Sequence, residues 1–191
     1  MRTGQVAGTA YDPRVQSGEP TEAEEERRPG AILVIYSWDM LLALLALLGA
    51  LAAFGGEATV GNRTVSVSLA EQVLAAVSSA SFAGLLIILA TLLTRRQRWV
   101  RVAQMATLAT AIGLGAISLL LAVVLGQGVQ MASALSAAAV LVLDALAIVA
   151  LTGHRVVTWY AAPGGIPRYI TATLGFWALT SVILILLQVT R

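Results

Sequence analysis

Apolar and polar positions divide the chain into one polar segment followed by five long apolar runs. The runs predict helices at 31–54, 69–94, 102–125, 131–153 and 168–190. Each holds about 20 residues with few or no charges, the length a helix needs to cross ~30 Å of hydrocarbon. The expected fold is therefore an all-α integral membrane protein, a bundle of five transmembrane helices over residues 30–191. The first run, Gly30 to Phe54, anchors the reading because it carries one acid, Asp39, among apolar neighbours.

The connections are short. Gly55 to Ser68 reads GGEATVGNRTVSVS, in which Ala58–Val60 and Arg63–Val65 flank Gly61-Asn62, a pair suited to a tight turn. This predicts a short external β-hairpin between the first two spans. Asn62-Arg63-Thr64 also fits the glycosylation sequon, a pattern too short to carry weight. Gly126-Gln127-Gly128 marks a turn. The segment 154–167, with Trp159, Tyr160 and Pro163-Gly164-Gly165-Ile166-Pro167, has the aromatic and chain-breaking composition of a headgroup-level loop. Residues 1–29 are polar, lack apolar periodicity and lack the apolar core of a signal peptide, so a mostly disordered tail is expected. Within it Thr21 and Glu24 have capping-box spacing, and Glu24 can pair with Arg28 ahead of the Pro29-Gly30 stop, which outlines a short surface helix.

Composition agrees with the pattern. The chain is 58% hydrophobic and 12% charged, with mean hydropathy +0.85. A soluble domain of 191 residues has no polar shell large enough to cover that much apolar surface. With no cysteine, disulfides and thiolate metal or cluster sites are excluded. One histidine, His154, excludes a bis-histidine haem within the chain, and no HExxH or carboxylate–histidine cluster suggests a metal. No glycine-rich phosphate loop or Ser/His/Asp set supports a cofactor or nucleophilic catalysis, and a net charge of +2 gives no case for nucleic acid.

All 12 basic residues are arginine, which matches GC-rich coding and points to a prokaryotic inner membrane. Their positions predict orientation. Arg27, Arg28, Arg95, Arg96, Arg98, Arg101, Arg155 and Arg168 flank one side, while only Arg63 and Arg191 flank the other. The positive-inside rule then sets the N-terminus in the cytoplasm and the C-terminus outside. Arg95, Arg96, Arg98 and Arg101 also form a candidate contact for anionic lipid headgroups.

Small residues mark candidate packing faces. At 100° per residue, Asp39, Ala43, Ala46, Ala50 and Ala53 form one stripe, and Leu41, Leu44, Leu45, Leu48 and Leu51 lie opposite. Asp39 is thus expected to face protein. Ala76, Ala80 and Gly84 repeat the theme in the second run, as do Ala109 with Gly113 and Ala111 with Gly115 in the third. In the fourth, Asp144 shares a face with Ser133, Ala137, Val140 and Ile148, opposite Leu135, Val142, Leu146 and Val149.

Both acids lie about 13–15 Å from the arginine-flanked side at 1.5 Å per residue. If they meet, like charges cannot both ionise cheaply, and a proton or cation would be shared. As purely structural alternatives, each acid could bond across helices to Thr110 or Trp177, and Tyr36 and Trp38 could draw Asp39 towards the interface. Two functions are consistent with these residues. One is a non-enzymatic structural or accessory subunit of a larger membrane complex, bound to other subunits or to its own copies. The other is a small transporter or proton/cation-linked module using Asp39 and Asp144.

Overall fold

The computed structural model describes residues 29–60, 63–125 and 131–190. The expected tail at 1–28, the turn pair Gly61-Asn62 and the turn Gly126–Gly128 lie outside the described residues. Among the described residues five helices are long and apolar enough to cross a membrane: α1 (Gly30–Ala52), α2 (Leu69–Leu92), α3 (Arg98–Val124), α4 (Met131–Thr152) and α6 (Arg168–Val189). A short helix α5 (His154–Trp159) joins α4 to α6. Hydrocarbon offers the backbone no hydrogen bonds, so each spanning segment must satisfy its own as a helix.

Local chemistry sets the ends. Pro29 and Pro167 stand at the N-caps of α1 and α6, where φ near −60° suits the entry and no amide hydrogen is needed inside the helix. After α1 a 3₁₀ turn, Ala53–Gly55, runs into Gly56, whose φ of 76° is the left-handed conformation that glycine adopts without strain. Strand β1 (Glu57–Val60) pairs antiparallel with β2 (Arg63–Ser66), Glu57 opposite Ser66 and Val60 opposite Arg63. Ser68 then opens α2 through a capping box with Glu71. The boundaries match the apolar runs to within two residues except at α3, which starts at Arg98 rather than at 102.

The packed core lies at one end of the bundle. Ile32 and Ile35 of α1, Leu89 of α2, Val100 of α3, Leu151 of α4 and Ile170 of α6 are buried in a single cluster. This end holds the α2–α3 turn with its arginines, and we call it the arginine end; the other is the hairpin end. Towards the hairpin end the helices cover one another less: Leu120, Val123 and Val124 of α3 and Met131 and Leu135 of α4 are exposed.

The 154–167 segment includes the short helix α5 and packs against the bundle. Tyr160 is 1% exposed, and its hydroxyl donates to the Leu93 carbonyl at 2.8 Å, at the C-terminus of α2 where carbonyls lack helical partners. Beyond it Ala162 exchanges backbone hydrogen bonds with the α2–α3 turn, accepting from Arg98 and donating to the Arg96 carbonyl. The segment therefore closes the arginine end by folding onto it.

The small-residue stripes are right for α1 and only partly right elsewhere. Asp39, Ala43 and Ala50 are buried, Ala46 and Ala53 are partly buried, and the five opposing leucines are exposed. In α2, Ala76 is buried but Ala80 is exposed; the covered face instead runs through Ala83, Leu86 and Ala90. Ala109 and Gly113 of α3 are exposed, whereas Ala111 and Gly115 are partly covered. A Cβ on Gly115 would stand 3.0 Å from Leu141 Cδ2, so the Leu141 side chain packs on this glycine and would have to shift for any larger residue.

Candidate functional site

The two intramembrane acids both point inward. Asp39 is 0% exposed and Asp144 is 2% exposed. In α4, Ala137, Val140 and Ile148 share the covered face with Asp144, while Leu135, Val142, Leu146 and Val149 are exposed; Ser133 is exposed, unlike the expected inward position. Among the described residues the two carboxyls share no hydrogen bond, and each has its own partner.

Asp39 is held by Gln104. The Gln104 amide donates from Nε2 to Asp39 Oδ1 at 2.7 Å and to Oδ2 at 2.8 Å, joining α1 to α3. Gln104 is itself 0% exposed, and its Oε1 is buried with no hydrogen-bond partner among the described residues. An ionised carboxylate only accepts, so this orientation of the amide serves the charged acid. A protonated Asp39 would become a donor, and a half-turn of the amide would bring Oε1 round to receive that proton. Gln104 can thus answer either protonation state, although each orientation leaves one end of the amide unpaired. An unpaired buried amide oxygen costs about 1–3 kcal/mol.

Asp144 is held by Trp38, whose indole Nε1 donates to Oδ1 at 2.8 Å. Trp38 precedes Asp39 in α1 and therefore links the two acids through a single peptide unit. The other Asp144 oxygen takes no hydrogen bond among the described residues. Its carboxyl lines a cavity of about 490 Å³ to which every span contributes, through Leu42 of α1, Phe82 of α2, Leu114 of α3, Asp144 of α4 and Trp177 of α6. On their helices Phe82, Asp144 and Trp177 are the lining residues nearest the arginine end, so they form its floor, with Phe82 and Trp177 stacked at 4.4 Å between ring centroids and 18° between planes. Asp39 lies one turn beyond Leu42, on the far side of that floor.

The expected alternatives are corrected by these contacts. Thr110 bonds to the Ala106 carbonyl of its own helix, not to an acid. Trp177 stacks on Phe82. Trp38 reaches inward to Asp144 rather than drawing Asp39 to the interface, while Tyr36 is exposed. Gln104 is absent from the sequence reading because a third helix starting at 102 leaves it in the first turn, at headgroup depth. The helix starts four residues earlier, and a lone amide inside an apolar run was the available signal.

The arginine cluster lies elsewhere. Arg95, Arg96 and Arg98 are exposed at the arginine end, and the Arg96 guanidinium sits 4.0 Å from the Trp159 ring centroid. Arg101 is partly buried, its Nε without a hydrogen-bond partner. No family model matches the chain, and no curated protein or solved structure is similar to it.

Proposed function

We propose that this multi-pass membrane protein is a small proton- or cation-linked transport module in which Asp39 and Asp144 are the exchange groups. The observation that carries the reading is the Asp144 carboxyl lining a cavity bounded by all five spans, with Asp39 buried behind it. Asp39 and Trp38, the partner of Asp144, are adjacent in α1, and two carboxyls in one low-dielectric interior do not both hold a charge cheaply, so a cation arriving beside Asp144 favours loss of a proton from the pair. Departure of the cation favours its return. Gln104 accommodates both states of Asp39, and Trp38 keeps Asp144 pointed at the cavity.

In this reading the arginine end faces the cytoplasm of a prokaryotic cell, the paired strands β1 and β2 are external, and Arg95 and Arg98 meet anionic headgroups. The test is proton movement in vesicles carrying the reconstituted protein, with a cation gradient as the driving force. Asp39→Asn and Asp144→Asn should each abolish cation-driven proton flux. Flux equal to wild type in both variants would remove the acids from the mechanism.

A second reading, a structural or accessory subunit of a larger assembly, is favoured by one feature. The N-terminal half of α4 presents Ala132, Ser136, Ala138 and Ala139 at the surface, small residues of the kind that admit a neighbouring helix. Purification in mild detergent with mass measurement of the intact particle separates the two: a stoichiometric partner of different sequence supports the subunit reading.

A further inference from the structure

We infer that the cavity binds a lipophilic organic cation, with its charge beside Asp144 and its apolar body over Phe82 and Trp177. The inference rests on the cation-linked reading above and adds the substrate class. Among the described residues lining the cavity Asp144 is the one formally charged group, so the site favours a positive ligand over an anion, and a neutral one would gain no charge attraction from the carboxylate. The remaining polar groups are seryl hydroxyls and the Trp177 indole N–H, and two of the serines, Ser78 and Ser181, are engaged with each other at 3.1 Å.

That donor set suits an organic cation better than a metal ion. Calcium takes about 6–8 oxygen ligands and magnesium demands a near-octahedral shell, whereas one carboxylate oxygen is free here. Among the described residues no group of three or more His, Asp or Glu side chains forms. A cation with its charge spread over an apolar body gives up water cheaply and needs no such cage. Apolar walls and a stacked aromatic pair are what such a body packs against, and a ring face attracts positive charge. The volume, about 490 Å³, falls in the range of sites that enclose drug-sized molecules.

The experiment is binding of tetraphenylphosphonium to the full chain in lipid nanodiscs, followed by equilibrium dialysis with radiolabelled probe. Triphenylphosphine oxide, neutral and of comparable bulk, is the competitor. Wild-type protein should bind the cation saturably, and the neutral compound should compete at least about tenfold less well. Asp144→Asn should weaken cation binding by about tenfold or more, and Asp144→Glu should retain most of it. The comparison of charged and neutral compounds uses wild-type protein, so it stands even if a variant fails to fold. Equal competition by the neutral compound, absence of saturable binding, or binding indifferent to a folded Asp144→Asn variant would each overturn the inference. The two readings fail separately. Acid-dependent proton flux driven by an inorganic cation, without phosphonium binding, would leave the transport reading and remove this substrate class. Phosphonium binding that depends on Asp144, without acid-dependent flux, would keep the site and remove transport.

Discussion

At the scale of single residues, the two interior acids are held by side-chain pairs that cross between helices, Gln104 with Asp39 and Trp38 with Asp144. Removing one partner of a buried pair leaves the other unsatisfied, while replacing both with apolar groups of similar shape is nearly neutral. Gln104→Leu should therefore lower stability by about 1–3 kcal/mol, and more if Asp39 stays charged. The double variant Asp39→Leu/Gln104→Leu should return to within about 1 kcal/mol of wild type. Unfolding by graded addition of a denaturing detergent measures both; losses that simply add would show that the pair is not coupled. The inward direction of Asp39 was legible in the sequence because the alanine stripe and the opposing leucines agree on it. Its partner was not, because four arginines around Trp99 look like the end of a span, and the helix in fact runs through the last of them. Neither was the role of Trp38, since an indole near the start of a span is equally at home at the interface.

At the scale of elements, small residues mean different things in different helices. Lipid is as apolar as leucine, so a stripe of alanine on one helix does not say whether protein or lipid lies against it. α1 is readable because its two faces differ in size, small against large. α2 is not, because apolar residues cover its whole circumference and the true inner face includes leucines such as Leu86 and Leu89. Direct substitution separates the cases. Gly115→Leu should force α3 and α4 apart at Leu141 and cost about 1–3 kcal/mol as overpacking does. Ala80→Leu, on an exposed face of α2, should change stability by no more than about 0.5 kcal/mol. The same detergent titration checks the pair, and a large loss at Ala80 would mean that this face is covered by a neighbour. The connection after α4 follows similar logic. Its aromatic residues suggested an interfacial position, but Tyr160 carries a hydroxyl donor, and the exposed carbonyls ending α2 supply an acceptor within reach. Tyr160→Phe should cost about 0.5–1.5 kcal/mol, the net value of one such hydrogen bond.

At the scale of the whole molecule, the packing is lopsided: a buried apolar cluster closes the arginine end, and the cavity lies between that closure and the hairpin end. Solvent should then reach Asp144 from the hairpin side. The chain contains no cysteine, so single introduced thiols report access without background. Ser66 ends β2 and is exposed; Thr94 is exposed in the α2–α3 turn; Ser118 lines the cavity. A thiol reacts with a water-soluble maleimide only where water lets it form thiolate, and lipid contact does not. In intact cells Ser66→Cys should label and Thr94→Cys should label only after permeabilisation, as eight arginines on one side against two on the other require. Ser118→Cys should label from the same side as Ser66→Cys, and tetraphenylphosphonium should slow its labelling while leaving Ser66→Cys unchanged. Leu93→Cys, within the closed cluster, should stay unlabelled from either side. If Ser118→Cys instead reacts only from the Thr94 side, the cavity opens through the arginine end, and the packed cluster there must part for a cation to reach Asp144.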